Sequence, residues 1–198
     1  MPDRTVLVTG GSGYIAGFLI RQLVAEGWRV HTTVRSLDKE AALRARLAVD
    51  NAKLHLFAAD LQADTGWAEA MAGCSHVAHL ASPVPSGSRQ APDELIGPAH
   101  EGTLRALRVA QASGVRRFVM TSSVSAVAYG RGNERGEQTF TEADWTDPER
   151  RDLSAYAKGK TLAERAAREW VAREAAPAFE FCSICPSVVF GPLWSPDN

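Results

Sequence analysis

The sequence is short of cysteine, of surplus charge and of long apolar runs, and each shortage excludes something. Three cysteines in 198 residues cannot build a disulfide framework, so a reducing, cytoplasmic compartment is the expectation. Lys and Arg number 22 against 23 Asp and Glu, a net charge of −1. That balance offers no electrostatic footprint for nucleic acid or an anionic membrane. No apolar run approaches the roughly 20 residues needed to cross a bilayer. The start, Met-Pro-Asp-Arg-Thr, leads directly into a strand-like run rather than the apolar core of a secretory signal. Metal spacing is also wanting. Cys182 and Cys185, like His76 and His79, lie three apart on strand-like segments, so the members of each pair face opposite sides. Neither pair makes a redox couple or a convergent zinc shell. What remains is an ordinary globular composition, 45% hydrophobic and 23% charged, in a length suited to one domain over 1–198.

What is present is a rhythm. Short β-branched runs at Thr5–Thr9, Arg29–Val34, Lys53–Ala58, His76–Ala81, Val115–Thr121 and Phe179–Cys185 read as strands. Between them, amphipathic stretches at Tyr14–Glu26, Leu37–Val49, Ala63–Ala72, Pro92–Ala112 and Arg151–Glu174 read as helices. Strands joined by helical crossovers require a parallel sheet covered on both faces. The fold class is therefore α/β, and the simplest arrangement is a Rossmann-type doubly wound sheet of strand order 3-2-1-4-5-6. Gly130–Glu149, rich in glycine and charge, reads as a surface loop. Arg105, Arg108, Arg116 and Arg117 read as a solvated or dimer-contacting basic face, and either a monomer or a homodimer suits them.

Thr9-Gly10-Gly11-Ser12-Gly13-Tyr14-Ile15-Ala16 follows the first strand and opens the first helix. Gly10 permits the tight turn, Gly13 lets the backbone approach a pyrophosphate, and the small Ala16 lets helix and strand pack closely. The helix N-terminus offers unbonded N–H groups to phosphate. The residue expected to hold the adenosine ribose lies about 20 positions on, at the end of strand two. Here it is Arg35, with Asp38 beyond the strand end. A guanidinium suits a 2′-phosphate, which favours NADP(H) over NAD(H).

Strand five ends Met120-Thr121-Ser122-Ser123, where a parallel strand opens into the cofactor crevice. Tyr156 and Lys160 are four apart on one helix face, with Lys158 turned to solvent. A tyrosine beside an ammonium has its phenolate form favoured. It can give a proton to a carbonyl oxygen as hydride arrives, or take one back, while a serine hydroxyl holds the same oxygen.

These pieces resemble the extended short-chain dehydrogenase/reductases of the NAD-dependent epimerase/dehydratase superfamily, in particular the dihydroflavonol reductase-like branch. The shared segments are Val8-Thr9-Gly10-x-x-Gly13-Tyr14-Ile15, Thr33-Val34-Arg35, Ala59-Asp60-Leu61 and His79-Leu80-Ala81-Ser82-Pro83. They continue through Arg117–Ser123, Tyr156-x-x-x-Lys160-Thr161-Leu162-Ala163-Glu164 and Cys185–Pro192. The resemblance implies a catalytic set of Ser123, Tyr156 and Lys160, with Lys160 also on the nicotinamide ribose. It implies cofactor contacts from Gly10, Gly13, Tyr14, Ile15 and Arg35, with Asp60 and Leu61 near the adenine. Leu80, Ala81 and Ser82 would line the middle of the dinucleotide. Thr121, Ser122, Pro186, Ser187, Val188 and Val189 would line its nicotinamide end.

The substrate implied is a small ketone or aldehyde and its alcohol. Val124-Ser125-Ala126-Val127-Ala128 lacks the asparagine that flavonoid reductases carry after the serine, which argues against a flavonoid. The resemblance also implies a smaller C-terminal substrate region that these 198 residues do not contain, and hence weak turnover by them alone. Two other readings share the pattern. A sugar-nucleotide epimerase or dehydratase would need an acidic group where Arg35 stands. A non-catalytic NADP sensor would have no use for the proton donor.

Overall fold

The computed structural model describes residues 4–84, 91–130 and 137–193. The part of the expected surface loop at 131–136 lies outside them. Six strands, β1 (Thr5–Val8), β2 (Arg29–Val34), β3 (Leu54–Ala58), β4 (His76–His79), β5 (Arg117–Thr121) and β6 (Glu180–Ile184), alternate with helices. The helices are α1 (Tyr14–Ala25), α2 (Glu40–Leu47), α3 (Trp67–Met71), α4 (Asp93–Ala112) and α5 (Ala155–Glu174). The sheet order is β3-β2-β1-β4-β5-β6, with every pairing parallel. This is the doubly wound Rossmann arrangement expected from the alternation.

Each sheet face has its own core. On one, Val6, Val8 and Val30 pack under Ile20 and Val24 of α1 and Leu43 and Leu47 of α2. On the other, Leu7, Val77, Phe118 and Met120 pack under Trp67, Leu107, Ala110 and Ala163 of α3, α4 and α5. Because successive strand residues point to opposite faces, Val6 and Leu7 serve different cores. Burying each such side chain contributes about 1.5–3 kcal/mol.

The helix starts differ from the sequence expectation for identifiable reasons. α3 begins at Trp67 rather than Ala63, because the Trp67 indole N–H donates to the Asp60 and Ala63 carbonyls at 2.9 and 3.0 Å. Those oxygens would otherwise need helical amides. Gly66, at φ 84°, makes the turn between, and a Cβ there would overlap the Ala58 carbonyl oxygen. α5 begins at Ala155 rather than Arg151, because Ser154 caps it by accepting from the Ala157 amide at 3.2 Å. α2 spans only Glu40–Leu47, since Ala48 takes a left-handed conformation at φ 51°. The expected basic face is also not uniformly solvated. Arg105 turns back to pair with Asp64 and to donate to the Leu61 carbonyl, and Arg117 pairs with Glu180.

Candidate active site

The glycine turn is held from beside it. The Gly10 amide donates to Thr33 Oγ1 at 3.1 Å and the Gly11 amide to the Thr33 carbonyl at 2.8 Å, so the end of β2 fixes the loop. Arg46 of α2 donates to the Ser12 carbonyl at 2.8 Å. Gly10 sits at φ 72°, and a Cβ on it would press on the Ala81 backbone at 3.2 Å. Gly13 is exposed on the groove wall, and a Cβ on it would press on the Gly10 carbonyl oxygen at 3.2 Å. No side chain caps α1. Its first-turn amides are therefore the unbonded donors expected at an anion-binding helix start.

From this turn a groove of about 490 Å³ runs along the carboxyl ends of β1, β2, β3 and β4. Eight residues named from the sequence line it together: Gly10, Gly13, Arg35, Asp60, Leu61, Leu80, Ala81 and Ser82. Its walls also include Ser12, Thr33, Trp67, Glu94 and Pro98, to which sequence reasoning assigned no cofactor contact. Asp60 is held by its own turn, its carboxylate accepting from the Gln62 amide at 2.8 Å. Leu61 rests on α4 at Gly102, where a Cβ would come within 2.7 Å of it. Arg35 is exposed at the groove wall. Tyr14 and Ile15 stand in the first turn of α1 with partly exposed side chains, and Tyr14 Oη donates to the Pro192 carbonyl at 3.2 Å.

The Ser, Tyr and Lys set lies at the end of β5. Lys160 is 5% exposed and donates from Nζ to the Thr121 carbonyl at 3.0 Å. Its Nζ lies 5.9 Å from the centre of the Tyr156 ring. Burial pulls the ammonium down to about 8, although the neighbouring Cys185 and Glu164 oppose the shift. Two residues past Thr121, Ser123 caps a single turn of 3₁₀ helix, Val124–Ala126, its hydroxyl oxygen accepting from the Ser125 amide at 3.1 Å. The hydroxyl proton stays available to a substrate oxygen. α5 packs on this turn, which brings Tyr156 and Lys160 to the same strand end. Lys158, expected in solvent, makes a half-exposed ion pair with Glu149 at 3.8 Å.

Ser122 departs from its expected place at the cofactor. It is 2% exposed, and its hydroxyl leans toward the Glu164 carboxylate without reaching a well-aligned hydrogen bond. Glu164, one turn after Lys160, accepts from Ser183 at 2.6 Å and Arg168 at 3.0 Å. Burial pushes that carboxyl up, but these partners outweigh it and hold it below the ordinary range. Pro186, Ser187, Val188 and Val189 follow β6 over the end of β5, with the Pro186 carbonyl accepting from the Val124 amide at 3.0 Å. Val188 and Val189 are exposed. Among the described residues no group of His, Cys, Asp and Glu could hold a metal ion, and no helix is long and apolar enough to cross a membrane.

A family model described as the NAD dependent epimerase/dehydratase family matches residues 6–198. The chain belongs to that family. Within it, the chain is 34% identical over 198 residues to dihydroflavonol 4-reductase of Hordeum vulgare, covering 96% of this chain and 54% of that one. It is 37% identical over 202 residues to cinnamoyl-CoA reductase CAD2 of Medicago truncatula, covering 98% and 60%. Among solved structures it resembles yeast methylglyoxal/isovaleraldehyde reductase Gre2 complexed with NADPH, with TM-score 0.84, 27% identity, and 95% and 59% of the two chains covered. It also resembles vestitone reductase from alfalfa (Medicago sativa L.), with TM-score 0.74, 30% identity and 91% and 56% coverage. The chain thus spans little more than half the length of these relatives. Family members of this branch are extended short-chain oxidoreductases on a Rossmann sheet, as the sequence pattern implied.

Sequence reasoning also gave no supporting role to Thr9 and His79, which stand behind the groove wall. The Thr9 hydroxyl oxygen accepts from the Leu80 and Ala81 amides at 2.9 and 2.8 Å, and His79 Nδ1 lies 3.1 Å from it. The signal was present in a threonine directly before the glycine turn. The histidine was weighed for a role only as a metal ligand, although it opens the shared segment His79-Leu80-Ala81-Ser82-Pro83.

Proposed function

We propose that this chain is an NADP(H)-dependent oxidoreductase that interconverts a small ketone or aldehyde and its alcohol, with Tyr156 as proton donor and acceptor. The observation that carries the reading is the buried Lys160 ammonium beside the Tyr156 ring at the strand end that also holds Ser123. The groove along the ends of β1 to β4 supports a phosphorylated dinucleotide as the cofactor. Unbonded amides stand where α1 begins, Gly13 is exposed on the groove wall, and a guanidinium lies on the wall at Arg35.

In this reading the Tyr14 and Ile15 amides at the start of α1 hold the pyrophosphate, Gly10 and Gly13 shape the turn that lets it approach, and Arg35 takes the 2′-phosphate by charge-assisted bonds. Asp60 and Leu61 flank the adenine, and Leu80, Ala81 and Ser82 bound the middle of the groove. The nicotinamide, when bound, supplies or accepts the hydride. Lys160 holds the nicotinamide ribose and stands with its ammonium 5.9 Å from the centre of the Tyr156 ring. Ser123 donates its free hydroxyl proton to the carbonyl oxygen and Tyr156 gives up its phenolic proton to that oxygen, reversing for alcohol oxidation. Arg35 favours this reading over a sugar-nucleotide epimerase that retains NAD.

Binding of NADPH and NADH, followed by nicotinamide fluorescence, and a panel of carbonyl substrates test the proposal. Tyr156→Phe is expected to abolish turnover and leave NADPH affinity nearly unchanged. A Tyr156→Phe protein with most of its rate would mean that another group supplies the proton.

A further inference from the structure

The Thr9 hydroxyl has two lone pairs and one proton. Both lone pairs are used, by the Leu80 amide at 2.9 Å and the Ala81 amide at 2.8 Å. Its proton therefore goes to His79 Nδ1 at 3.1 Å, which makes Nδ1 the unprotonated nitrogen of a neutral ring and puts the hydrogen on Nε2. Nε2 is buried and has no hydrogen-bond partner among the described residues. The ring is 2% exposed and lies between Trp67 and Phe118, at 6.4 and 5.5 Å between centres. A buried donor without a partner is unfavourable, and its retention here calls for something gained at the other nitrogen.

We propose that His79 is a positioning residue for the dinucleotide groove. Its Nδ1 fixes the Thr9 hydroxyl as the double acceptor that sets the Leu80–Ala81 turn. Without an acceptor at that point the hydroxyl proton has no buried partner, and the hydroxyl turns to recover one. Turning it loosens one of the two amides. Leu80 and Ala81 line the groove, and the Ala81 backbone sits against Gly10, so the turn and the glycine loop shift together. His79 touches no reacting atom and acts only through Thr9. The inference deepens the cofactor-groove reading and rests on it for its consequence in binding.

The test begins on the free protein, where failure of the cofactor reading cannot interfere. Nitrogen-15 shifts of the imidazole are expected to show the Nε2–H tautomer, and amide exchange to show Leu80 and Ala81 protected. In His79→Leu those two amides are expected to exchange faster. In His79→Asn, whose side-chain oxygen replaces Nδ1, protection returns. NADPH affinity should fall roughly ten-fold in His79→Leu, the loss of about one hydrogen bond, and recover in His79→Asn. Thr9→Val with His79→Leu should bind NADPH no more weakly than Thr9→Val alone. An Nδ1–H tautomer, additive losses in the pair, or no rescue by asparagine would overturn the proposal. If the wild-type chain binds no NADPH, the cofactor reading falls, and the tautomer with the two exchange rates still decides the role of His79.

Discussion

Lys160 donates from Nζ to the Thr121 main-chain oxygen at 3.0 Å, tying the first turns of α5 to the last residue of β5. Its position at the sheet's open end follows from that bond and from the packing of α5. An ammonium so placed has lost most of its water, and burial lowers its titration to about 8 from the ordinary 10.5.

The first prediction follows from that shift. Below about 8 Lys160 carries its charge in both the folded and unfolded chain, and its burial penalty is fully present. As pH rises from about 8 toward the ordinary 10.5, the folded chain sheds the proton before the unfolded one does, and relative stability rises. NADPH affinity should move the other way and decline above about pH 8, because the neutral amine no longer supports the ribose as a cation. Fluorescence titrations across that range are the measurement. Affinity that stays flat would remove Lys160 from the cofactor.

Arg35→Ala should weaken NADPH binding by about 1.5–3 kcal/mol, the range for a hydrogen bond to a charged group, and leave NADH affinity almost unchanged. Equal losses for the two cofactors would make Arg35 a structural residue of the groove wall. Parallel titrations of the variant with both cofactors separate these outcomes.

Acid should destabilise the fold well before carboxylates protonate. Burial lowers the titration of His79 to about 3, with Lys160 adding to the shift, and burial also lowers His31 and His76. The unfolded chain takes up these protons near the ordinary 6.5 while the folded chain refuses them, so stability falls as pH drops through 6.5. His79 alone contributes about 1 kcal/mol per pH unit there. Glu164 adds a loss only below its ordinary range, since its folded titration is depressed. Urea midpoints measured from neutrality toward pH ~5 should fall steadily, and His79→Asn should flatten the curve.

Thiol reactivity should separate the three cysteines. Cys182 is exposed on the edge strand, whereas Cys74 is buried and its thiol pushed up to about 12 by burial. Cys185 is half-buried, its thiol raised by burial and by Glu164 beside it. Native iodoacetamide labelling followed by peptide mapping is expected to mark Cys182 first and Cys74 only after unfolding. Early labelling at Cys74 would contradict its placement under α3.

Strand order and the glycine turn were legible because β-branched runs alternating with amphipathic stretches demand parallel crossovers, and because a Gly-x-x-Gly step reports directly on backbone geometry. Arg35 was legible through its position at a strand end, and Asp60 and Ala81 only through the family resemblance. The start of α3 was not, because Ala63–Gly66 carries no strong breaker until Gly66 and the indole of Trp67 decides the issue through tertiary hydrogen bonds. Nor was the inward turn of Ser122, which the neighbouring Glu164 determines from another element. His79 was opaque for the same reason, since its partner Thr9 lies 70 residues away. Contacts between elements leave little trace in one sequence.

Pro98 stands one turn into α4 and has no amide proton, so the Glu94 carbonyl lacks its helical rung. Both residues line the groove, while Ala106, Leu107 and Ala110 farther along the same helix belong to the core. The first turn of α4 is held less by its own rungs than by side-chain packing, with Leu95 buried and Gly159 of α5 lying close beneath the Leu95–Ile96 backbone. A substitution at Gly159 would therefore be felt at the groove, through the turn that carries Glu94 and Pro98.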